Sequence, residues 1–405
     1  MRCFTHHLIN LNNAITAIVT PRGGRTRRSP SALGSRRRGG RRTTGRAAVA
    51  LLAAWSLVAV TFPGAVFAVT PTPGVLVSAT LYPINVSTTV DAYDPHVSGD
   101  LAAYTADAKI RYYDFFLGND SQVPSPSGAI DFLSDVSAGR IVFSRFGSGN
   151  SRIMVFDTSN SSTTEIDPQP SPYRSSAKID FNTIAFIDQT SPTGDLYASF
   201  LGGATHQVTN DGRVTREPSV APLGNVIVYE SCASNATDCS IRQAAWNGSA
   251  WQVTNLTEDG TEAEANPDTD GVVVVYDADR GGNREIAWQP VGGGTEQVLT
   301  ISGSQFNPSV NSGIVAFESV APGDVGADIF VYDIANNRLF QVTATAGVAE
   351  SLNDVFVLPN GNVRVVWAEG PGGDRDVRGA DLELPPVGPT YAFGGFSSRW
   401  TRPRP

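Results

Sequence analysis

The chain has 405 residues, of which 41% are hydrophobic, and 30 Lys and Arg stand against 39 Asp and Glu, a formal net charge of −9. Eleven of the arginines fall within residues 1–46, which contain no acidic residue, so nineteen basic residues face thirty-nine acidic ones over the remainder, a formal charge of −20. Such a surface repels phosphate backbones and anionic lipid, which argues against nucleic-acid binding and against a role at a membrane surface. Cationic partners and divalent cations are easier to accommodate.

The N-terminal residues have the pattern of an export signal. The basic stretch is followed by an apolar run at residues 47–60 and by a small-residue site that ends at Ala68. This order of features predicts a secretory signal over residues 1–68. The apolar run is short for a membrane span, which needs about 20 residues, and an uncleaved anchor is the alternative. We therefore expect a secreted, cell-surface or periplasmic protein that is no longer membrane-associated once the signal has been removed. Residues 69–80 are predicted to be a linker.

Two cysteines, Cys232 and Cys239, remain beyond the predicted signal. An even number of cysteines in an exported chain indicates a disulfide. Their spacing does not match the CxxC pattern that is typical of redox and zinc sites. We predict that Cys232 and Cys239 form a structural disulfide that staples one hairpin loop.

A phrase is repeated seven times between Asp94 and Leu384. The clearest copy reads FNPSVNSGIVAFES, then a Gly- and Asp-rich gap, then DIFVYD, a short turn and FQVT. One aromatic residue marks the same place in each copy, and successive markers are 39 to 50 residues apart: Tyr104, Phe143, Phe186, Tyr229, Tyr276, Phe317 and Trp367. A period in this range indicates a repeat architecture.

Each copy predicts four short antiparallel strands. In the sixth copy, residues 314–318 are β-branched and aromatic, which suits a strand buried on both faces, and residues 321–327 have the composition of a hairpin loop. One such sheet has two apolar faces and cannot bury both alone, whereas sheets stacked around an axis bury each other's faces. We therefore predict an all-β fold, a closed β-propeller over residues 81–384 with seven blades of four antiparallel strands.

The N-terminus of the mature chain is predicted to close the ring. The seventh copy leaves no room for a fourth strand after Asp381. Residues 79–88, ATLYPINVST, have the pattern of an orphan fourth strand at the opposite end of the repeats. Pairing this segment into the last blade would leave no open sheet edge.

The repeat resembles the TolB-type propeller repeat of bacteria, which is related to WD-type repeats. The matching positions are Pro308, the pair Ala316 and Phe317, residues 328–330, and the Gln-Val-Thr run at 341–343. No copy has the full Trp-Ser-Pro-Asp-Gly of that family, and its best-known members have six blades, so six is the alternative blade number. The resemblance implies a propeller that serves as a binding scaffold, because the fold hosts many unrelated activities.

Residues 385–405 break from the acidic composition of the repeats. Their GPTYAFGGF run looks like the opening of a small β module, and the remainder is rich in Arg and Pro. A truncated or frameshifted module and a disordered terminus are the two interpretations that remain open.

The sequence contains no recognisable catalytic constellation. It has no GxSxG elbow, no HExxH pair and no phosphate-binding glycine pattern. Beyond the signal the histidines are His96 and His206. His96 sits beside the repeat proline on the predicted innermost strand, so it is the candidate ligand-binding residue that could face the central channel. His206 is predicted to be a solvated edge residue.

One loop has a weak likeness to a calcium site. Asp277, Asp279, Asn283 and Glu285 are its candidate ligands. Their spacing departs from the calcium pattern D-x-[DN]-x-[DN]-G, and Arg280 occupies a ligand position. A solvated hairpin loop is the alternative interpretation, and apart from calcium no metal or cofactor is expected.

These features favour a secreted, monomeric, non-catalytic propeller that binds an extracellular protein, peptide or glycan. The alternative is an extracellular polysaccharide hydrolase or lyase whose acidic residues converge in the propeller channel. That activity would need two carboxylates at the separation used in glycoside chemistry, which depends on the fold rather than on spacing in the chain.

Overall fold

Seven four-stranded sheets follow one another around an axis in this protein. The computed structural model describes residues 66–85, 89–168, 173–233, 238–257, 262–345 and 347–386. Throughout these ranges the regular secondary structure is β-strand, and they contain no helix long and apolar enough to cross a membrane. The predicted seven-bladed, all-β propeller is confirmed, and the six-bladed alternative is wrong.

The blades are numbered along the chain, and their strands are given from the axis outwards. Three strands precede the first blade: β1 (Phe67–Val69), β2 (Thr72–Pro73) and β3 (Ser78–Asn85). Blade 1 contains β4 (Ala92–Ser98), β5 (Leu101–Ala106), β6 (Lys109–Asp114) and β7 (Asn119–Gln122). Blade 2 contains β8 (Ile130–Ser137), β9 (Arg140–Gly147), β10 (Asn150–Asp157) and β11 (Ser162–Glu165). Blade 3 contains β12 (Arg174–Asp180), β13 (Thr183–Asp188), β14 (Asp195–Phe200) and β15 (Thr205–Gln207).

The remaining blades repeat this order. Blade 4 contains β16 (Val214–Val220), β17 (Val226–Cys232), β18 (Cys239–Trp246) and β19 (Trp251–Asn255). Blade 5 contains β20 (Glu264–Thr269), β21 (Val273–Arg280), β22 (Asn283–Pro290) and β23 (Gln297–Leu299). Blade 6 contains β24 (Ser304–Asn311), β25 (Ile314–Val320), β26 (Asp328–Asp333) and β27 (Arg338–Gln341). Blade 7 contains β28 (Glu350–Val357), β29 (Val363–Glu369), β30 (Asp376–Glu383) and the N-terminal β3.

The ring closes as predicted, because β3 is the outermost strand of blade 7. It pairs antiparallel with β30, from Ser78 opposite Glu383 to Asn85 opposite Val377. The Tyr82 hydroxyl donates a hydrogen bond to Asp381 Oδ2 across the same pair, at 3.0 Å. The first and last strands of the propeller therefore hold each other in one sheet.

The N-terminal segment also covers the outer edges of two further blades. Strand β1 pairs in parallel with β23 of blade 5, and β2 pairs in parallel with β27 of blade 6. Residues 66–68 of the predicted signal are described, and Phe67 and Ala68 belong to β1; the rest of that signal lies outside the described residues. The predicted linker, 69–80, contains β2 and the first residues of β3. We call residues 67–85 the N-terminal belt.

The hydrophobic core lies between the blades. The seven marker aromatics are at most 3% exposed, and they belong to clusters that combine residues of adjacent blades. In one such cluster Tyr276 of blade 5 packs with Val228 and Ile241 of blade 4. Burying an aromatic side chain of this kind contributes about 2 to 3 kcal/mol, so the blades are stable only as a stack.

Gly74 tests whether the belt is part of the stable fold. A Cβ atom on Gly74 would overlap the ring of Phe340, which is only 1% exposed and has no room to move. The Gly74 amide also donates to the Leu339 carbonyl at 2.7 Å. We expect Gly74→Val to lower the free energy of unfolding by about 2 kcal/mol, the usual cost of overpacking, in urea denaturation.

The matched control is Gly147→Ala, because a Cβ at that position meets no atom within 4 Å. It should change the free energy of unfolding by less than about 0.5 kcal/mol. Equal stabilities for Gly74→Val and the unaltered protein would show that the belt does not contribute to the stable ring.

Candidate functional site

A β-bulge interrupts the innermost strand of every blade at the same position. Pairing with the second strand skips two residues there, and the first of them has φ between 43° and 55° in all seven blades: Asp94, Leu133, Ser176, Glu217, Asn266, Asn307 and Leu352. The second skipped residue is proline in four blades: Pro95, Pro218, Pro267 and Pro308. A bulge tolerates proline, because the ladder hydrogen bond is already missing, and it redirects the residues that follow.

The residue directly after each bulge has an equivalent position on the innermost strand, next to the axis. These seven residues form what we call the channel ring: His96, Asp135, Lys178, Ser219, Asp268, Ser309 and Asp354. The side chains of His96, Asp135 and Asp354 are 15–18% exposed, which fits groups that border a narrow channel. His96 thus occupies the channel position that its place beside the repeat proline suggested, whereas ligand binding by His96 stays a prediction.

Three carboxylates of the channel ring hold neighbouring blades together. Asp354 Oδ2 accepts a hydrogen bond from the Val97 amide of blade 1 at 2.8 Å. Asp135 Oδ2 accepts one from the Ile179 amide of blade 3 at 2.7 Å. Asp268 Oδ2 accepts one in the same way from the amide of Val310 in blade 6, at 2.6 Å. These aspartates therefore satisfy backbone donors across three blade interfaces.

A charged cluster crosses the channel at this level. Lys178 Nζ of blade 3 lies 2.7 Å from His96 Nε2 of blade 1, so the contact passes over the intervening blade 2. His96 Nδ1 lies 3.4 Å from Asp354 and 3.7 Å from Asp135, and its Nε2 lies 3.6 Å from Asp94. We call His96, Lys178, Asp94, Asp135 and Asp354 the central cluster.

The distance between Lys178 and His96 sets their protonation. Burial lowers the pKa of Lys178, but Asp135 and Asp94 outweigh it and hold that pKa above its usual value. Burial and Lys178 lower the pKa of His96, while Asp354 and Asp94 raise it, to about 10 on balance. Only one proton can lie between two nitrogens 2.7 Å apart, so either the Lys178 ammonium donates to a neutral imidazole or a protonated His96 donates to a neutral amine.

The channel opens onto two different faces. The turn face carries the turns between first and second strands and between third and fourth strands of each blade; the loop face carries the remaining connections. On the turn face a depression of about 630 Å³ spans the axis and includes Ser98, Asp100, Asp180, Asn311 and Phe356 in its lining. A second, of about 400 Å³, lies between blades 5 and 6 on the same face.

Side-chain hydrogen bonds join the turns around the two depressions. Asn311 Oδ1 accepts from the Val357 amide at 3.0 Å, and Asp270 Oδ2 accepts from the Gly313 amide at 2.7 Å. Each bond links one blade to the next. The rim is therefore held in shape before any ligand arrives, which lowers the cost of binding.

Second-strand carboxyl groups anchor the bulges from behind. Glu318 Oε1 accepts from Asn307 Nδ2 at 2.6 Å and from the Leu352 amide at 2.7 Å. Asp277 Oδ2 accepts from Asn266 Nδ2 at 2.8 Å and from the Asn307 amide at 3.0 Å. In both cases the backbone donor is the bulged residue of the next blade, so these acids position the strands that line the channel.

The four candidate calcium ligands are not brought together. Asp277 is fully buried and paired with Arg284, and Asp279 Oδ1 accepts from the Gly282 amide within the hairpin turn. Glu285 is paired with Ala278 in the ladder and Asn283 with Arg280. Since alternate residues of a strand face opposite sides, Asn283 and Glu285 lie on the other face of the hairpin from the two aspartates.

Elsewhere, one group of potential ligand atoms is found within the described residues: Glu230, Cys232 and Cys239. The two sulfur atoms are bonded to each other, so they do not serve as metal ligands. The predicted Cys232–Cys239 disulfide is thereby confirmed, and it joins paired positions at the ends of β17 and β18. The second histidine, His206, lies in an aromatic group at the outer rim with Phe200 and Trp246.

No family model matches this sequence, and no curated protein matches it. An oligogalacturonate lyase in complex with manganese aligns with 77% of this chain and 98% of its own, with a TM-score of 0.55 and 11% identity. A prolyl endopeptidase aligns with 74% of this chain at a TM-score of 0.54 and 11% identity, and this chain spans only 51% of its length. A TolB from Acinetobacter baumannii aligns with 73% of this chain and 80% of its own at 16% identity, with a TM-score of 0.43.

These identities establish the β-propeller fold alone. TolB is among the similar structures, as the repeat suggested, but its TM-score is too low to support a family assignment. Lys178 and Asp354, which complete the central cluster, were not singled out from sequence. The available signal was their shared offset from the bulge, two residues after its first position in every copy, which the repeat prolines mark in four blades.

Lys178→Met tests the balance of charge in the channel. The change removes the Lys178 amine and leaves Asp94 and Asp135 with His96 as their remaining basic partner. Breaking a buried charged contact typically costs about 3 kcal/mol. We expect that loss in the free energy of unfolding at pH 8 and a smaller loss at pH 5, because the pKa of Asp94 rises once the Lys178 charge that helps to lower it is gone. Urea denaturation at both pH values measures the difference.

The other described lysine provides the control. Lys109 donates to Ser125 Oγ and to the Ala129 carbonyl and has no carboxylate partner among these bonds. Lys109→Met should cost less than about 1 kcal/mol at either pH. Equal effects of the two substitutions would contradict a stabilising central cluster.

Buried glutamates make the fold more stable in mild acid. Burial raises the pKa of Glu318 to about 7 and outweighs the hydrogen bonds from Asn307 and Leu352. It likewise raises the pKa of Glu230 and of Glu350 to about 7, and that of Glu264 to about 8. Because the folded pKa lies above the unfolded one, stability is full below about pH 4.5 and is lost as the pH rises through 7 to 8.

Glu318→Gln isolates one of these groups. It keeps the oxygen that accepts from Asn307 and Leu352 but cannot ionise. We expect the variant to lose less stability than the unaltered protein between pH 5 and pH 8, by about 2 kcal/mol for a shift of this size. Glu285→Gln, in the hairpin formed by β21 and β22, is the control and should leave the pH dependence of stability unchanged. Identical pH profiles for both variants would contradict the role of Glu318 in that dependence.

Proposed function

We propose that this protein is an exported, non-catalytic β-propeller that binds an extracellular protein, peptide or glycan at the turn-face mouth of its axial channel. The observation that carries the proposal is that the charged groups of the channel are already engaged. Asp135, Asp268 and Asp354 accept backbone hydrogen bonds from neighbouring blades, and His96 and Lys178 contact each other. Groups with these partners stabilise the arrangement of the blades, and their hydrogen-bonding capacity is used within the protein.

The turn-face depression supports the same reading. Its volume of about 630 Å³ falls in the range of ordinary ligand sites, about 300 to 1,000 Å³. The hydrogen bond that Asn311 accepts from the Val357 amide fixes part of its rim in advance. Export is supported by the basic and apolar N-terminal pattern and by the disulfide, which persists in oxidising compartments.

Peptide- and glycan-array profiling of the intact protein tests the proposal, with the affinity of each hit measured by calorimetry. Ser98→Trp would fill the depression at the channel mouth and should weaken binding at least tenfold. Val325→Trp is the control, because Val325 is 90% exposed on the loop face. Arrays without a binder, together with turnover of a polymer substrate, would overturn the proposal.

The central cluster favours a second candidate, an extracellular polysaccharide hydrolase or lyase. His96 and Lys178, in contact with each other among three carboxylates, have the chemistry of an acid–base pair. Such groups work at hydrogen-bond distance from the reacting proton. Screening of acidic and neutral polysaccharides, with and without a chelator, tests this activity. Turnover that disappears in both His96→Gln and Lys178→Met would support the enzyme; the absence of turnover on every polymer would eliminate it.

A further inference from the structure

Three neighbouring turns on the turn face present large apolar side chains to solvent. Phe181, Leu223 and Val272 are 57%, 76% and 71% exposed, and they lie between the first and second strands of blades 3, 4 and 5. Solvent-facing turns ordinarily carry polar residues or glycine. We call these three residues the apolar ridge.

The ridge is continuous from blade 3 to blade 5. Thr183 Oγ1 donates to the Gly224 carbonyl at 2.8 Å, which joins the first two turns. A Cβ atom on Gly271 would lie 3.7 Å from the Pro222 ring, so the second and third turns are also in contact. The three turns that carry these apolar tips therefore adjoin one another, and clustered exposed apolar side chains mark interaction sites.

Two of these side chains are held at a cost to the fold. Phe181 has φ of 53° and Leu223 has φ of 76°, in the left-handed region that asparagine and glycine occupy most easily. A non-glycine residue there typically costs about 1 to 2 kcal/mol. The equivalent turns of blades 1, 2 and 6 also have a positive φ, at Gly99, Ala138 and Ser312, so the hairpin sets this conformation. The large apolar side chain is what distinguishes blades 3 and 4.

Carboxylates flank the ridge. Asp180 and Asp100 border the larger depression, and Asp270 borders the smaller one beside Val272. The Asp100 side chain is 62% exposed, and Arg364, which touches it, is also bound to Asp381. An apolar surface with an acidic border fits a partner that combines aromatic and cationic residues.

The chain itself leaves the propeller beside this surface. Strand β30 ends at Glu383, and Arg338 Nη1 donates to the Pro385 carbonyl at 2.7 Å. Arg338 follows the blade 6 turn whose Ile334 and Ala335 line the smaller depression together with Val272. The described part of the chain therefore ends on the turn face, near the blade 6 turn that borders the smaller depression.

The C-terminal segment has the complementary chemistry. Residues 387–405 contain no acid, and their aromatic and cationic residues are Tyr391, Phe393, Phe396, Arg399, Trp400, Arg402 and Arg404. Nineteen extended residues can span up to about 60 Å. The outer edge of a blade lies about 14 Å from its innermost strand, which is three strand spacings of about 4.8 Å, so the segment is long enough to reach the inner turns. We propose that residues 387–405 dock on the apolar ridge and its acidic border.

This inference rests on the proposed function, which places ligand binding on the turn face. It adds that the occupant carries aromatic and cationic residues. The tail acts as a tethered ligand whose high effective concentration favours docking even when its intrinsic affinity is modest. An external ligand with aromatic and cationic residues then competes with the tail for the same turns.

Hydrogen exchange of the full chain, read by mass spectrometry, tests the docking. The amides of residues 387–405 should exchange at least tenfold more slowly than in the free synthetic peptide of the same sequence. The double variant Phe181→Asn and Leu223→Asn should abolish this protection while leaving the propeller as stable or more stable, because asparagine suits both backbone positions. Val325→Asn, an exposed apolar change on the loop face, should leave the protection intact.

Exchange of the tail at the free-peptide rate in the unaltered protein would overturn the inference. So would protection that survives in the double variant, because the tail would then be held elsewhere. The proposed function is judged separately, by array binding to the channel mouth and its loss in Ser98→Trp. A protected tail without any array hit would support this inference alone, and hits without tail protection would support only the proposed function.

Discussion

The structure depends on one constraint: each blade is a thin sheet with two apolar faces, and only another blade can cover them. The marker aromatics, from Tyr104 to Trp367, are buried because they lie in these interfaces. A row of blades would leave two faces bare, so the sheets must form a ring. Closing that ring requires the two chain ends to meet, which β3 and β30 accomplish in blade 7.

The bulge recurs at the same position in each innermost strand, so the packing of the blades also determines which residues lie near the axis. By adding two unpaired residues to each innermost strand, it turns the seven channel-ring residues inward. Polar groups there face a narrow space, and most of them find partners on a neighbouring blade. Asp135 and Asp354, as well as Glu318 behind the bulge, bind backbone amides of the next blade. These carboxyl groups therefore hold neighbouring blades together.

The two faces of the propeller differ as a result. The turn face is tied around its rim by side-chain hydrogen bonds, yet it exposes Phe181 and Leu223 in unfavourable backbone conformations. The loop face carries the disulfide between Cys232 and Cys239 and the hairpin of the candidate calcium residues, which lie apart. Rigidity combined with exposed apolar surface makes the turn face the better place for a partner.

The sequence alone determined the all-β class, the seven blades, their closure by the N-terminal strand and the disulfide, because each is set by a local period or by spacing along the chain. Only the tertiary structure decided that Lys178 meets His96, that Asp277 and Glu285 point apart, and that β1 and β2 pair with blades 5 and 6. The Lys178–His96 contact and the pairing of β1 and β2 join segments from different repeats, whereas the register of one hairpin separates Asp277 from Glu285. Their distances depend on how the sheets curve around the axis, a quantity that periodicity within one repeat does not contain.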